Sequence, residues 1–415
     1  MILSEKKINP FGGINFVINE LKRKKISDLI DDKLGLRPKQ STYSFSDIIL
    51  YWIYSNLCGA ERLEDAVQMK SHLEGIPNLA NPSPDRISGI FRKLASQKKD
   101  VFSHKGIKHE FCIDRKTNGM MLDIAKKLGS DLNGTLDYDN VIIETEKYDT
   151  EWTYEKYKGY QPGVAFMGET PVYIEGRNGN SSAQYKMKDT LERCLDLLEE
   201  KGIRVKRFRS DSAAYQRDVL GLMDSKGIDF FVRVRSSTAL VDDIRYAKNW
   251  QAGKTNGFSY EYSEIEYIPF VSTPAIYKDY PTYRLIVKRI YDDSGEPVYY
   301  AIVTNNWEMT PLEVIEFYNK RGAIERNFDD LKNNFNWKRL PFSFLNENTF
   351  FMIIGAISKI IYTHLRNTFS EKVDFVEGNF RLKNFIFHFI TVSSFWTKKG
   401  KLRLFTGKDY TRIFE

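Results

Sequence analysis

The densest concentration of reactive side chains in the sequence is the run Glu316-Phe-Tyr-Asn-Lys-Arg-Gly-Ala-Ile-Glu-Arg-Asn-Phe-Asp-Asp-Leu-Lys332. Wound as one α-helix, at about 100° per residue, it places Tyr318, Arg321, Glu325 and Lys332 on a single stripe roughly 60° wide. Phe317, Ile324, Phe328, Leu331 and Phe335 gather beside that stripe, which puts the four polar groups at the rim of a buried face. A carboxylate held there can bind a hard cation, and an arginine, a lysine and a tyrosine around it can grip phosphate oxygens. The same residues also fit an ordinary surface helix whose ion pairs are solvated.

Two segments upstream offer further carboxylates. In Gly134-Thr-Leu-Asp-Tyr-Asp-Asn-Val-Ile-Ile143, strand periodicity sets Asp137 and Asp139 on one face of an otherwise apolar run. An acid in such a run is costly unless it is paired or binds a metal, although an edge strand would leave both solvated. In Lys206-Arg-Phe-Arg-Ser-Asp-Ser-Ala-Ala-Tyr215, Asp211 stands where a strand gives way to a helix. Open α/β sheets place ligand sites at that edge, but an aspartate there can also serve as a plain helix N-cap.

The spacing Y-x2-R-x3-E-x6-K resembles the signature of the bacterial cut-and-paste transposases grouped as the insertion-sequence-four superfamily. Tyr157-Lys-Gly-Tyr-Gln-Pro-Gly163 is similar to a further stretch of that family, and the resemblance runs from about Tyr43 onward. It implies a ribonuclease-H-like catalytic core in which two aspartates and a glutamate form a metal-binding triad. On this chain the triad would be Asp139, Asp211 and Glu325, with Asp137 as rival for the first place, at intervals of 211 − 139 = 72 and 325 − 211 = 114 residues. It further implies two magnesium or manganese ions per site and DNA as partner, both the terminal inverted repeats and the target. A homodimer on DNA and a DNA-gripping role for Tyr318, Arg321 and Lys332 follow from the same resemblance. One departure is Gly322, after Arg321, where some members carry a tryptophan that stacks on a displaced base; another aromatic, such as Trp307, would have to take that part. A ribonuclease-H-like nuclease, or a transposase descendant that binds DNA without cutting it, would share these features. A regulator working through N-terminal helices alone would need none of the three acids.

Positioning these groups demands a mixed α/β sheet. Short β-like runs from Thr135 to Glu144, Gly163 to Met167 and Pro171 to Glu175 lead into a helix from about Ala183 to Lys201. A strand from Ile203 to Phe208, a helix from Ser212 to about Ser225 and a strand from Ile228 to Val234 follow. Between roughly Ser236 and Pro297 the helical period disappears, and alternation with the turn signal Asp292-Asp-Ser-Gly295 predicts an inserted antiparallel sheet. A long helix is expected from about Thr310. Residues 1–130 read as a helical, DNA-binding unit in which helices between Ser44 and Ser96 fit a helix-turn-helix or an ordinary bundle equally well. Residues 131–345 read as the catalytic unit with its β-rich insertion at about 236–297, and 346–415 as a helical region with a basic tail.

Size and composition agree with this division. A chain of 415 residues, 42% hydrophobic and 14% aromatic, buries ample core without disulfide or metal staples. Its 62 basic against 55 acidic residues leave a net charge of +7, which favours a polyanionic partner. Basic runs at Lys22-Arg-Lys-Lys25 and Lys398-Lys-Gly-Lys-Leu-Arg403 suit phosphate contacts or a solvated surface. Cys58, Cys112 and Cys194 are too far apart for a disulfide framework, and the five histidines lack zinc spacing, so a reducing cytoplasm and hard-cation chemistry are expected. Met1-Ile-Leu-Ser-Glu-Lys-Lys7 lacks the apolar stretch of a secretory signal. Phe350 to Leu365, interrupted by Lys359 and His364, reads as a buried helix rather than a membrane span.

Overall fold

The computed structural model describes residues 8–255, 258–270 and 281–414, so the reading of Met1 to Lys7 lies outside the described residues. The chain opens with α1 (Ile14–Arg23), α2 (Ile26–Leu34), α3 (Phe45–Leu57), α4 (Ala66–Leu73) and α5 (Pro84–Leu94). Ser44 and Asp47 close a reciprocal capping box at the start of α3, and Ser83 caps α5 with Pro84 in its first turn. Apart from Asp47 every side chain of α3 is buried, so α3 is a core helix without a solvent face.

The sequence predicts only helix before residue 130, and here the structure differs: β1 (Asp100–His104) and β2 (Ile107–Cys112) precede α6 (Arg115–Leu128). The outer strand is largely polar, and β2 is fixed by pairing Phe111 and Cys112 with residues far along the chain, a cause local periodicity does not carry. There follow β3 (Thr135–Asn140), β4 (Ile143–Glu144), β5 (Glu151–Trp152), β6 (Lys158–Tyr160), β7 (Gly163–Met167) and β8 (Thr170–Arg177). Next come α7 (Met187–Glu200), β9 (Arg207–Ser210), α8 (Arg217–Ser225) and β10 (Asp229–Val234). Strand β9 starts four residues later than Ile203, because only from Arg207 is it flanked on both sides, by β3 and β10.

The expected all-β stretch contains a helix, α9 (Thr238–Arg245), which Ser237 caps through the Leu240 N–H. After it run β11 (Gln251–Thr255), β12 (Phe258–Tyr267), β13 (Tyr283–Tyr291) and β14 (Pro297–Thr304), antiparallel as alternation predicts. They do not form a separate inserted sheet. β14 pairs with β10, giving one mixed sheet of eleven strands in the order β1-β2-β8-β7-β3-β9-β10-β14-β13-β12-β11. Among the described residues the parallel strand pairs are only β3 with β9 and β9 with β10, with their carboxyl ends at one edge.

The remaining elements are α10 (Pro311–Asn319), α11 (Ala323–Asn334), α12 (Leu345–Ser370), α13 (Leu382–Phe385), β15 (Ser394–Trp396) and β16 (Leu402–Leu404). The long helix expected from Thr310 is broken between α10 and α11 by a tighter turn at Lys320–Gly322. One apolar core joins α1 to α6 with α11, α12 and α13, so the N-terminal and C-terminal helical regions share their interior. A second fills the face of the sheet under α7 and α8, and a third, smaller one lies between the sheet and α10.

Helix α12 is the buried helix expected. Lys359 reaches Asp330 at 2.9 Å, and the ring of His364 meets Glu20 at 2.8 Å. Among the described residues no helix is long and apolar enough to cross a membrane. Asp149 accepts the first N–H of α12, that of Leu345, supplying the cap that Phe344 lacks. Midway along α12, a Cβ on Gly355 would stand 2.7 Å from the Phe335 carbonyl oxygen and 3.1 Å from the Trp337 ring nitrogen. Gly→Ala inside a helix ordinarily stabilises by up to about 1 kcal/mol. Here the sign reverses: Gly355→Ala should destabilise by about 1–3 kcal/mol in denaturant unfolding, because the backbone after α11 must move aside.

Candidate active site

The acids are placed by strand register. Tyr138 of β3 and Val232 of β10 both pair with Ser210, the last residue of β9, so Asp139 and Arg233 lie one step further along their strands and Asp211 follows directly where β9 ends. Side-chain alternation turns Asp139 and Arg233 to the face that α10 covers, since Arg209, which pairs with Asp137, and Phe231 both pack on Phe317. The sheet edge where strands end is also where backbone turns can expose such groups, as the open α/β rule anticipates.

Asp139 is half-buried. Its Oδ1 accepts the Asn140 N–H at 2.8 Å and its Oδ2 accepts from Arg321 at 3.1 Å. Burial first, and then the negative charge of Asp211, push its pKa up to about 6, against the partial relief that Arg321 and the Asn140 N–H supply. Asp211 caps the short turn Ser212–Ala214, accepting the Ala213 N–H at 2.9 Å. The capping role and the nearness to Asp139 thus coexist in one residue. Two carboxylates that repel each other in a half-buried setting, with oxygen donors only, fit a hard divalent cation, and Arg321 supplies part of that positive charge in its place.

Asp137 has a different role. Its two oxygens take a bidentate grip from Arg209 at 2.7 Å each, and the same guanidinium donates to the Phe317 carbonyl at 2.6 Å. That pair bolts β3 to β9 and holds the last turn of α10. Tyr318 in that turn donates to the Ser210 carbonyl at 3.3 Å, and burial raises its pKa, which keeps the phenol a donor.

Glu325 and Lys332 are not drawn into this cluster. Glu325 is exposed on α11, and Lys332 is half-buried, its pKa lowered by burial and then by Lys338. Among the described residues no three His, Cys, Asp or Glu side chains are gathered closely enough to hold a metal ion. The folded chain therefore assembles two acids, Arg321 and Tyr318, with Glu325 one helical turn beyond Arg321, about 6 Å along the axis.

Sequence reasoning missed three participants. Arg209 orients the site from below, and only the strand alternation Arg207-Phe-Arg209 hints that it points with Asp137. Tyr154, 71% exposed, lies near enough that the charges of Asp139 and Asp211 raise its pKa, after burial and Glu155. Arg233 lies one residue beyond Val232, which pairs with Ser210 next to Asp211. Trp307, by contrast, follows β14 beside Asn306, which bonds Asp229 at the opposite end of β10, away from the acids. Gly163, in the stretch after the first aspartate, sits where a Cβ would come within 2.1 Å of the Tyr138 hydroxyl, so this close packing requires glycine.

Residues 12–399 match the family described as Transposase DDE domain group 1. Among solved structures the chain is similar to the piggyBac transposase in a synaptic complex with hairpin DNA, at 12% identity and a TM-score of 0.42, covering 92% of this chain and 80% of that one. No curated protein matches the sequence. With the family spanning residues 12–399 of the 415, the chain belongs to the DDE transposases of domain group 1.

Proposed function

We propose that this transposase cleaves the ends of its own insertion sequence and joins the freed 3′ hydroxyl to target DNA, as the insertion-sequence-four enzymes do. The observation that carries the reading is that Asp139 of β3 and Asp211, just past the end of the neighbouring parallel β9, stand close enough for one charge to raise the pKa of the other. The order β8-β7-β3-β9-β10, three antiparallel strands followed by two parallel ones, supports a ribonuclease-H-like core. The edge strands β14 to β11 correspond to the family's β-rich insertion.

Asp139 and Asp211 would hold magnesium or manganese, with Glu325 as third acid and two ions per site; when bound, such ions activate the attacking oxygen and stabilise the leaving one. Glu325 on α11 would complete the acid set, and Arg321, which pairs with Asp139, would be placed to hold a phosphate oxygen. Tyr318 donates a hydrogen bond to the same strand, and Lys332 adds a phosphate contact further along α11. Asp137 takes no part beyond holding Arg209. DNA ends are brought together by a dimer in a bacterial cytoplasm.

Incubating the purified protein with DNA spanning the two boundaries of its element, with magnesium or with chelator, tests the reading. Magnesium-dependent nicks at the boundaries that leave 3′ hydroxyls are expected. Binding without nicking would instead identify a descendant that has lost cleavage, and nicking without end preference a general nuclease.

A further inference from the structure

Beyond the acids, two neighbouring cations of the sheet make no ion pair among the described residues and pack on aromatic rings instead. Arg233 of β10 and Lys288 of β13 flank the ring of Tyr300, at 5.2 and 5.5 Å from its centre, and Lys288 also lies 4.8 Å from the centre of the Tyr260 ring. Tyr300 and Lys288 are direct cross-strand partners, as are Lys288 and Tyr262, so cation and aromatic alternate across β10, β14, β13 and β12. Neighbouring arginines of the same strands are neutralised: Arg284 by Glu264 and Arg289 by Glu261. Among the described residues Arg233 and Lys288 make no such ion pair. Burial, and then the charge of Arg233, lower the Lys288 pKa, as expected of like charges held together without compensation.

This ladder is continuous with the catalytic edge. Arg233 follows Val232, which pairs with Ser210 just before Asp211, and its charge reaches Tyr318. From β9 to β13 is three interstrand steps, roughly 14 Å. That length corresponds to about four base pairs of rise along a duplex. Folding keeps Lys288 half-buried beside the exposed Arg233, a like-charge cost that a polyanion lying on them would offset.

We propose that Arg233 and Lys288, spaced by Tyr300, form a phosphate-binding track that holds the DNA backbone a few nucleotides from the bond cut at Asp139 and Asp211. The inference rests on the reading of the chain as a DNA-cutting transposase. It makes the sheet extension a guide rail for the strand entering the site, with contacts to phosphate and none to base edges.

The test is a salt titration of binding to a fluorescein-labelled duplex of unrelated sequence, followed by anisotropy, for wild type, Arg233→Ala, Lys288→Ala and the double variant. Each single variant should flatten the slope of log affinity against log salt by about 0.9 and weaken binding roughly fivefold, and the double variant by about twice that slope. Arg233→Lys and Lys288→Arg should restore most of the slope, which a merely structural role would not produce. Wild-type slopes in folded alanine variants, or no duplex binding by the wild type, would overturn the track. Magnesium-dependent nicking of the element's own end DNA by the same protein preparations separates the two ideas. Flattened slopes with no nicking by the wild type would leave the track standing and remove the cleavage reading.

Discussion

Asp139→Asn and Asp211→Asn should each lower magnesium-dependent cleavage of the element's ends by about a thousandfold or more, with melting temperatures close to wild type. Loss of a group that acts only through bound metal and the transition state removes rate out of proportion to its part in folding. The fold should tolerate Asp139→Asn because the native carboxylate is already disfavoured, by burial and by Asp211. The sign of the pH effect follows. In the folded chain Asp139 keeps its proton up to about 6, above the ordinary carboxylate value of 3.8. The stability it contributes is therefore present below the ordinary range and lost as pH rises from there toward about 6. Metal affinity should run the other way, weakening up to tenfold per unit as pH falls below about 6, because a cation must displace that proton. Isothermal titration with manganese across this range reads the effect, and Asp139→Asn should abolish the pH dependence. Full cleavage by either variant would remove the acids from the chemistry.

Asp137→Ala is expected to be the most destabilising change at the site, by about 3–5 kcal/mol in denaturant unfolding, since it strands the Arg209 guanidinium in a buried setting. The damage should spread to activity, because Arg209 also holds the Phe317 carbonyl and through it the turn that presents Tyr318 and Arg321. Exchanging both partners for apolar residues, Asp137→Leu with Arg209→Met, should recover most of the stability and little of the activity. A single variant that unfolds within about 1 kcal/mol of wild type would show that the pair does not bolt β3 to β9.

The contrast between Asp137 and Asp139 marks how far sequence reaches. Alternation placed both on one face of a strand, which is what the structure shows, but which of them has a cationic partner depends on Arg209 of a strand brought alongside by folding. Asp211 and the stripe from Tyr318 to Arg321 were legible because a strand end and a helix are local patterns. Glu325 was placed with them on an unbroken helix, whereas the turn at Lys320–Gly322 interrupts the rod and Glu325 lies exposed. Helix α9 carried a readable signal in its Ser237 cap, which the surrounding alternation obscured. The track of Arg233 and Lys288 was invisible, since it exists only once β10 and β13 are both paired with β14.

Anomalous scattering from manganese in crystals of the protein bound to its own end DNA addresses the central claim most directly. The account predicts manganese peaks between the carboxylates of Asp139 and Asp211, with Glu325 turned in from α11 as a further ligand. Manganese bound elsewhere, with Arg321 still paired to Asp139 and the scissile phosphate remote from both, would contradict it.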